Sequence, residues 1–229
     1  MSTLAILPVK SFGAAKQRLA PALGAGSRQA LARAMFSDVL AALRRVSSLD
    51  AVVVITADPV AESAAMGRGV KVLRDAEQAG QSPAAKIGVQ YARACEYERV
   101  LLVPGDTPLL DPAEVSALLQ RGKQEELGAL VIPDRHGMGT NALLLSPPDA
   151  IEPSFGPGSF ERHVEAARAA GLAFAVAQVP TLMLDVDTRD DLAELARVLE
   201  TRRGHAPSTR GALSQLDRSR AWRHSPVPA

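Results

Sequence analysis

Leu4-Ala5-Ile6-Leu7-Pro8-Val9-Lys10-Ser11-Phe12-Gly13-Ala14-Ala15-Lys16-Gln17-Arg18-Leu19 changes character midway. Leu4–Leu7 is an unbroken apolar run, the pattern of a strand buried on both faces in a parallel sheet. Pro8 donates no ladder hydrogen bond and suits the strand's exit. Three cations follow, Lys10, Lys16 and Arg18, spaced by small residues and one glycine. Small residues let backbone N–H groups approach an anion, and the cations surround it with charge. The segment therefore reads either as a strand feeding a polyphosphate grip or as a strand feeding a solvated loop. Neither G-x-x-x-x-G-K-[ST] nor G-x-G-x-x-G occurs in it.

Outward from this stretch, strand-like and helix-like pieces alternate. Ser27 is a candidate cap for a helix carrying Leu31, Met35, Val39, Leu43 and Val46 near a 3.6 period. Ala51–Ile55 is β-branched and strand-like, Val60–Met66 a short helix, and Val70–Leu73 a brief strand. Ser82-Pro83 opens a helix through Ile87, Tyr91 and Cys95, and Val100–Val103 is the next strand. Asp111-Pro112-Ala113-Glu114 joins a cap, a first-turn proline and a capping-box acid. Gly128–Ile132, Ala142–Leu145, Ala173–Val179 and Leu182–Val186 read as strands. Ser159 caps a helix to about Ala170, and Thr188 caps a last one to about Glu200. This alternation predicts an α/β fold with a parallel or mostly parallel sheet and helices on both faces. One domain is expected over residues 1–201. Residues 202–229, rich in Pro, Ser, Gly, Arg and His, are expected to be a disordered tail.

Composition narrows the function classes. At 229 residues with 47% hydrophobic content the chain supports a sizeable core. Aromatic residues at 3% argue against base-stacking platforms, and a net charge of +1 provides no broad footprint for nucleic acid or membrane. The single Cys95 excludes an internal disulfide and a cysteine metal cluster, and reads as an inert thiol at a helix end. No apolar run approaches the roughly 20 residues that span a bilayer, and no leader pattern is visible, so a cytoplasmic protein is expected.

In open α/β sheets, ligands bind beyond the carboxyl ends of the strands. The loops at those ends carry the polar chemistry: Lys10, Lys16 and Arg18 after the first strand, and Pro104-Gly105-Asp106-Thr107-Pro108 after Val103. Asp134–Asn141 follows Ile132, and Asp185-Val186-Asp187 follows Leu184. On an extended segment Asp185 and Asp187 face one way while Val186 faces the core. Three carboxylates without cysteine or a paired-histidine motif select Mg²⁺ or Mn²⁺ over zinc. The competing reading makes Asp185 and Asp187 helix-capping acids and Asp106 a turn acid. Acids at two strand ends beside a cationic loop at a third favour the metal.

Gly137-Met138-Gly139-Thr140-Asn141 and Phe155-Gly156-Pro157-Gly158-Ser159-Phe160 set glycines beside hydroxyl and amide groups, a supply of neutral donors. Ser159 also begins a helix, whose N-terminus attracts anions. A small phosphate or carboxylate suits this place. His163 lies one turn on, and reads as a residue of an amphipathic helix in preference to a ligand. His136 reads as a loop residue.

Together, Leu7-Pro8-Val9-Lys10, Lys16…Arg18-Leu19, Pro104–Leu110, Gly139–Leu143, Phe155–Phe160 with His163, and Leu184–Thr188 with Asp191-Leu192 resemble one family. It is the phosphoenolpyruvate/2-phospho-L-lactate guanylyltransferases of coenzyme F420 biosynthesis, within the molybdopterin-guanylyltransferase-like nucleotidyltransferases. The resemblance spans about residues 4–200. It implies a Rossmann-like three-layer α/β/α sandwich with a mostly parallel mixed sheet, and a reaction joining GTP to a small phosphorylated three-carbon acid with release of pyrophosphate. It implies Mg²⁺ at Asp106, Asp185 and Asp187, and catalytic roles for Lys16 and Asp106. It also implies nucleotide contacts at Lys10, Lys16, Arg18, Gly80 and Ser82, and acid contacts at Thr140, Gly156 and Ser159. Gly80-Gln81-Ser82-Pro83-Ala84-Ala85 replaces a Gly-Leu-Asn-Ala-Ala-Leu stretch, which points to the branch using phosphoenolpyruvate; Lys86 has no assigned role. Two other readings stand beside it: a nucleotide-sugar glycosyltransferase, which also uses an acidic pair with Mg²⁺, and a non-catalytic nucleotide-binding protein.

Overall fold

The computed structural model describes residues 1–218. Seven strands form one sheet: β1 (Thr3–Val9), β2 (Ala51–Thr56), β3 (Lys71–Arg74), β4 (Arg99–Leu102), β5 (Ala129–Pro133), β6 (Thr140–Leu145) and β7 (Phe174–Val176), in the order β3-β2-β1-β4-β6-β5-β7. All pairs are parallel except those of β6, which runs against both β4 and β5. The helices are α1 (Ala25–Leu43), α2 (Pro59–Met66), α3 (Gln81–Ala94), α4 (Pro112–Gln124), α5 (Ser159–Ala169), α6 (Arg189–Thr201) and α7 (Pro207–Arg218). The chain is thus an α/β protein with a mostly parallel mixed sheet.

All seven residues of β1 are buried, because it is covered on both faces. Ala5, Leu7 and Val9 pack with α1, α2 and α4 on one side; Leu4 and Ile6 pack with α3 and residues contacted by α5 on the other. Each of the leucine, isoleucine and valine side chains taken fully out of water contributes about 1.5–3 kcal/mol. The strand runs on through Pro8. Ile6 O accepts from Val103 N at 3.0 Å, and alternation turns Pro8 toward that same edge, past the last β4 rung at Ile6–Leu102. Its missing N–H therefore breaks no ladder. Helix α3 crosses β1 closely at Gly88, where an added Cβ would stand 2.4 Å from Ile6 Cγ2.

Three expectations are corrected. Leu182–Val186 is not a strand. Leu182, Leu184 and Val186 are buried with the period of two, yet the segment joins no sheet, and Val186 N donates instead to Asp106 O at 3.2 Å. Ser27, Ser82 and Ser159 are not caps, because each lies inside its helix behind Gly24, Gly80 and Gly158. The expected disorder from residue 202 does not hold through 218, where α7 packs on α1 and α6 through Leu213 and Leu216. Asp38 of α1 caps it, accepting from Ser208 N at 3.1 Å and Thr209 N at 2.7 Å. Two leucines among Arg, Ser and Gln gave too faint a periodic signal to mark it. Residues 219–229, the remainder of that expected tail, lie outside the described residues.

Candidate active site

The carboxyl ends of β1 and β4 and the loop before α6 meet at one rim. Beyond β1 the chain makes two 3₁₀ turns, Phe12–Ala14 and Gln17–Leu19, with Lys16 between them in the left-handed region at φ 57°. A lysine there is uncommon, and the conformation turns its side chain inward. Its ammonium bonds Asp106, which follows β4, and lies 2.8 Å from Asp187 Oδ1. The Lys16 side chain is only 7% exposed. Burial alone would lower its pKa, but the charges of Asp106 and Asp187 outweigh that and hold it above the ordinary lysine value. Arg18 stands 3.8 Å from Asp187, an exposed pair of small energetic weight.

Asp185 completes the acidic group. Asn141 Nδ2 donates to its Oδ1 at 3.1 Å. Burial first, then the neighbouring charge of Asp106 and more weakly of Asp187, pushes its pKa up to about 6. Asp106 Oδ1 is buried and has no hydrogen-bond partner. Among the described residues no group of three or more His, Cys, Asp or Glu forms a ready-made metal cage, and the Lys16 ammonium holds two of the three aspartates. The donor set nevertheless suits a hard divalent cation: an unpaired buried carboxylate oxygen and a carboxyl resisting ionisation are both relieved by added positive charge.

Beside these acids opens a cavity of ≈ 360 Å³. Lys10, Lys16, Arg18, Gly80, Asp106 and Asp187 line it, together with Phe12, Phe36 and Asp75. Its size falls within the range of small-molecule sites. Gly80 needs its φ of 121°, which admits few other residues. Ser82 does not line the cavity. Its hydroxyl accepts from Phe155 N at 2.8 Å and contacts Phe155 O at 3.4 Å, which ties the start of α3 to the loop before α5. Lys86 pairs with Glu152 at the surface.

Thr140, Gly156 and Ser159 form a second cluster. Thr140 N donates to Ser159 Oγ at 2.9 Å, and Ser159 N donates to Gly156 O at 3.0 Å. Gly156 takes φ 108° and Gly158 takes φ 71°. His163 is fully buried on the inner face of α5. It contacts Thr140 Oγ1 through Nδ1 at 2.9 Å and accepts from Ser154 N at Nε2, also at 2.9 Å. Burial, with a smaller contribution from Arg162, pushes its pKa down to about 4. Of the donors expected in 137–141, Met138 N and Gly139 N go to Asp134 and Asn141 Nδ2 goes to Asp185.

Sequence reasoning missed two residues. Asp75 is buried and lines the cavity just past β3, where the strand-end rule applied to that strand would have found it. Arg135 grips Asp191 at 2.8 and 2.6 Å. Asp191 also accepts from the backbone N–H groups of Asp187 and Thr188, so the pair fixes the loop bearing Asp187; no local pattern announced it. Cys95 caps the end of α3 as expected and is exposed. No helix among the described residues is long and apolar enough to cross a membrane.

Comparison with known proteins assigns the family and the fold. The profile of a family described as "Guanylyl transferase CofC like" matches residues 3–206. A phosphoenolpyruvate guanylyltransferase of Conexibacter woesei is 52% identical over 219 residues, covering 96% of this chain and 98% of the relative. A 2-phospho-L-lactate guanylyltransferase of Methanothermobacter thermautotrophicus is 38% identical over 195 residues, covering 85% and 84%. Among solved structures, one from Desulfovibrio desulfuricans G20, whose name places it with the nucleotide-diphospho-sugar transferases, superposes with a TM-score of 0.76 at 23% identity over 95% of this chain and 96% of that one. A cytidylyltransferase of Leptospira borgpetersenii gives a TM-score of 0.60 at 14% identity over 100% of both chains. At these identities the two structures speak for the fold alone.

Proposed function

The chain belongs to the CofC-like guanylyltransferase family, and from that premise we propose that it transfers GMP from GTP to phosphoenolpyruvate, releasing pyrophosphate, as a step toward coenzyme F420. The name of the Conexibacter relative supports phosphoenolpyruvate as the acceptor over 2-phospho-L-lactate. The observation that carries the reading is the buried Lys16 ammonium bonded to Asp106 and Asp187 at the mouth of a cavity lined by two further cations.

The chemistry follows from charge. An oxygen of the acceptor's phosphate bonds to the α-phosphorus of GTP as the α–β bridging bond breaks, and the electron pair leaves with pyrophosphate. The acceptor is already anionic at neutral pH, so no strong general base is needed. The difficulty is bringing two polyanions in line. Lys10, Lys16 and Arg18 hold phosphate oxygens and spread their charge. Asp106, Asp185 and Asp187 would hold Mg²⁺, which when bound neutralises phosphate charge and stabilises the leaving group. Thr140, Gly156 and Ser159 hold the acid, with Gly80 and the cavity wall receiving the nucleoside. Ser82 supports that wall through Phe155.

Purified protein with GTP and Mg²⁺ is expected to release pyrophosphate only when an acid is added, and fastest with phosphoenolpyruvate among that acid, 2-phospholactate and 3-phosphoglycerate. Asp106→Ala is expected to lose turnover while keeping its fold by circular dichroism. GTP binding without pyrophosphate from any acid would instead describe a non-catalytic binding protein.

A further inference from the structure

We propose that His163 is a positioning residue for the acceptor acid: its Nδ1–H holds the Thr140 hydroxyl oxygen, leaving the hydroxyl proton free to donate to the acid. This deepens the reading above and rests on it. The argument begins at Ser154, whose backbone N–H donates to His163 Nε2 at 2.9 Å. A ring nitrogen that accepts carries no proton, so the neutral imidazole bears its proton on Nδ1. Nδ1 stands 2.9 Å from Thr140 Oγ1. It must donate, and Thr140 Oγ1 must accept. The ring is fully buried, which disfavours the doubly protonated form. The Phe155 ring meets it edge-on at 5.3 Å and holds its plane.

The neighbouring hydroxyl is set the same way. Ser159 Oγ accepts from Thr140 N at 2.9 Å, so its proton too is left to donate. Two adjacent hydroxyls thus each accept from a fixed N–H group, and among the described residues their protons are uncommitted. A carboxylate or phosphate oxygen accepts such protons, so the pair favours an anion. His163 is what gives Thr140 this polarity.

The test uses the full-length protein, with pyrophosphate release measured against phosphoenolpyruvate at saturating GTP and against GTP at saturating phosphoenolpyruvate. His163→Phe keeps a planar ring beside Phe155 and removes both hydrogen bonds. It is expected to raise KM for the acid by about tenfold, the scale of one misdirected hydrogen bond to a charged group, with KM for GTP within about twofold. Adding Thr140→Val to it is expected to cost little more, since both changes remove one interaction. His163→Asn places an amide N–H where Nδ1–H stands and is expected to restore acid KM to within about threefold of the parent. His163→Gln reaches the Ser154 side only and is expected to behave like His163→Phe. Should the Phe variant not fold, the Asn and Gln variants decide the matter alone. Equal acid KM in Asn and Gln variants, equal rises in both substrates' KM, or full additivity with Thr140→Val would overturn the proposal. An inactive parent protein would instead remove the guanylyltransferase reading, and this proposal with it.

Discussion

Lys16 Nζ and Asp187 Oδ1 lie 2.8 Å apart across 171 positions of sequence, and through this contact the first loop of the chain is joined to the segment before α6. The ammonium is nearly enclosed, while Asp187 is 42% exposed and Asp106 26% exposed. The cation is therefore the buried centre, and the acids reach from it toward the cavity.

Lys16→Met is expected to lower turnover about 10²- to 10³-fold, the scale of removing one preorganised charge from a phosphoryl site. It also leaves two carboxylates, Asp106 and Asp187, without their buried cation. Thermal melts at pH 7 should show a deficit against the parent, because both contacts that join the first loop to Asp106 and Asp187 are lost.

Asp185 makes the metal-free protein pH-sensitive. Its folded pKa of about 6 exceeds the ordinary 3.8. The contribution is fully favourable below 3.8 and is lost as pH rises through 6, because the folded state resists an ionisation that the unfolded chain accepts. In chelator, Asp185→Asn should be more stable than the parent at pH 7.5, by on the order of 2–3 kcal/mol, and equal to it near pH 3.5. Added Mg²⁺ should stabilise the parent and not the variant. Denaturant melts at the two pH values measure this, and a constant difference between parent and variant would contradict it.

Asp38→Ala removes the acceptor for Ser208 N and Thr209 N at the start of α7. A lost helix cap costs about 1–2 kcal/mol. Limited proteolysis should then cut faster between α6 and α7, while KM for GTP stays within twofold. Unchanged cleavage would mean that Leu213 and Leu216 hold the helix unaided.

Gly88→Ala places a methyl group 2.4 Å from Ile6 Cγ2, in a core with no slack. Overpacking of this kind costs about 1–3 kcal/mol. Combined with Ile6→Ala, the two losses should sum to less than their separate values, because the truncation makes room for the new carbon. Additive denaturation energies would show that α3 shifts away instead.

Local signals were legible where local physics decided the outcome. Asp111 accepts from Ala113 N at 2.7 Å and Thr188 caps α6, both as expected, and Asp191 adds a capping box that was not. Glu114, expected to complete the first box, accepts from Thr181 Oγ1 at 2.6 Å, because a distant hydroxyl competes for it. Ser82 and Ser159 misled as caps for the same reason: their hydroxyls serve Phe155 and Thr140. Leu182–Val186 carried the burial rhythm of a strand without a partner edge, and rhythm alone does not report pairing. At the site, the strand-end rule led to Asp106 and the cationic loop, whereas Asp185 and Asp187 stand on a segment that joins no sheet and were reached by a strand expectation that does not hold. It could not foresee that Lys16 binds two of those acids, or that Arg135 steadies the loop of Asp187 through Asp191, since both depend on contacts between distant segments.

The reversed direction of β6 carries one more consequence. Its first two residues serve different partners, Thr140 meeting His163 and Asn141 meeting Asp185, at the point where the register against β5 shifts by one residue. A single peptide unit therefore spans the divide between the hydroxyl pair and the acidic rim, with about 3.3 Å of rise and almost no freedom to stretch. A one-residue slip of that strand would move both side chains off their partners at once, so the spacing between the two clusters is set by a backbone step and not by any flexible loop.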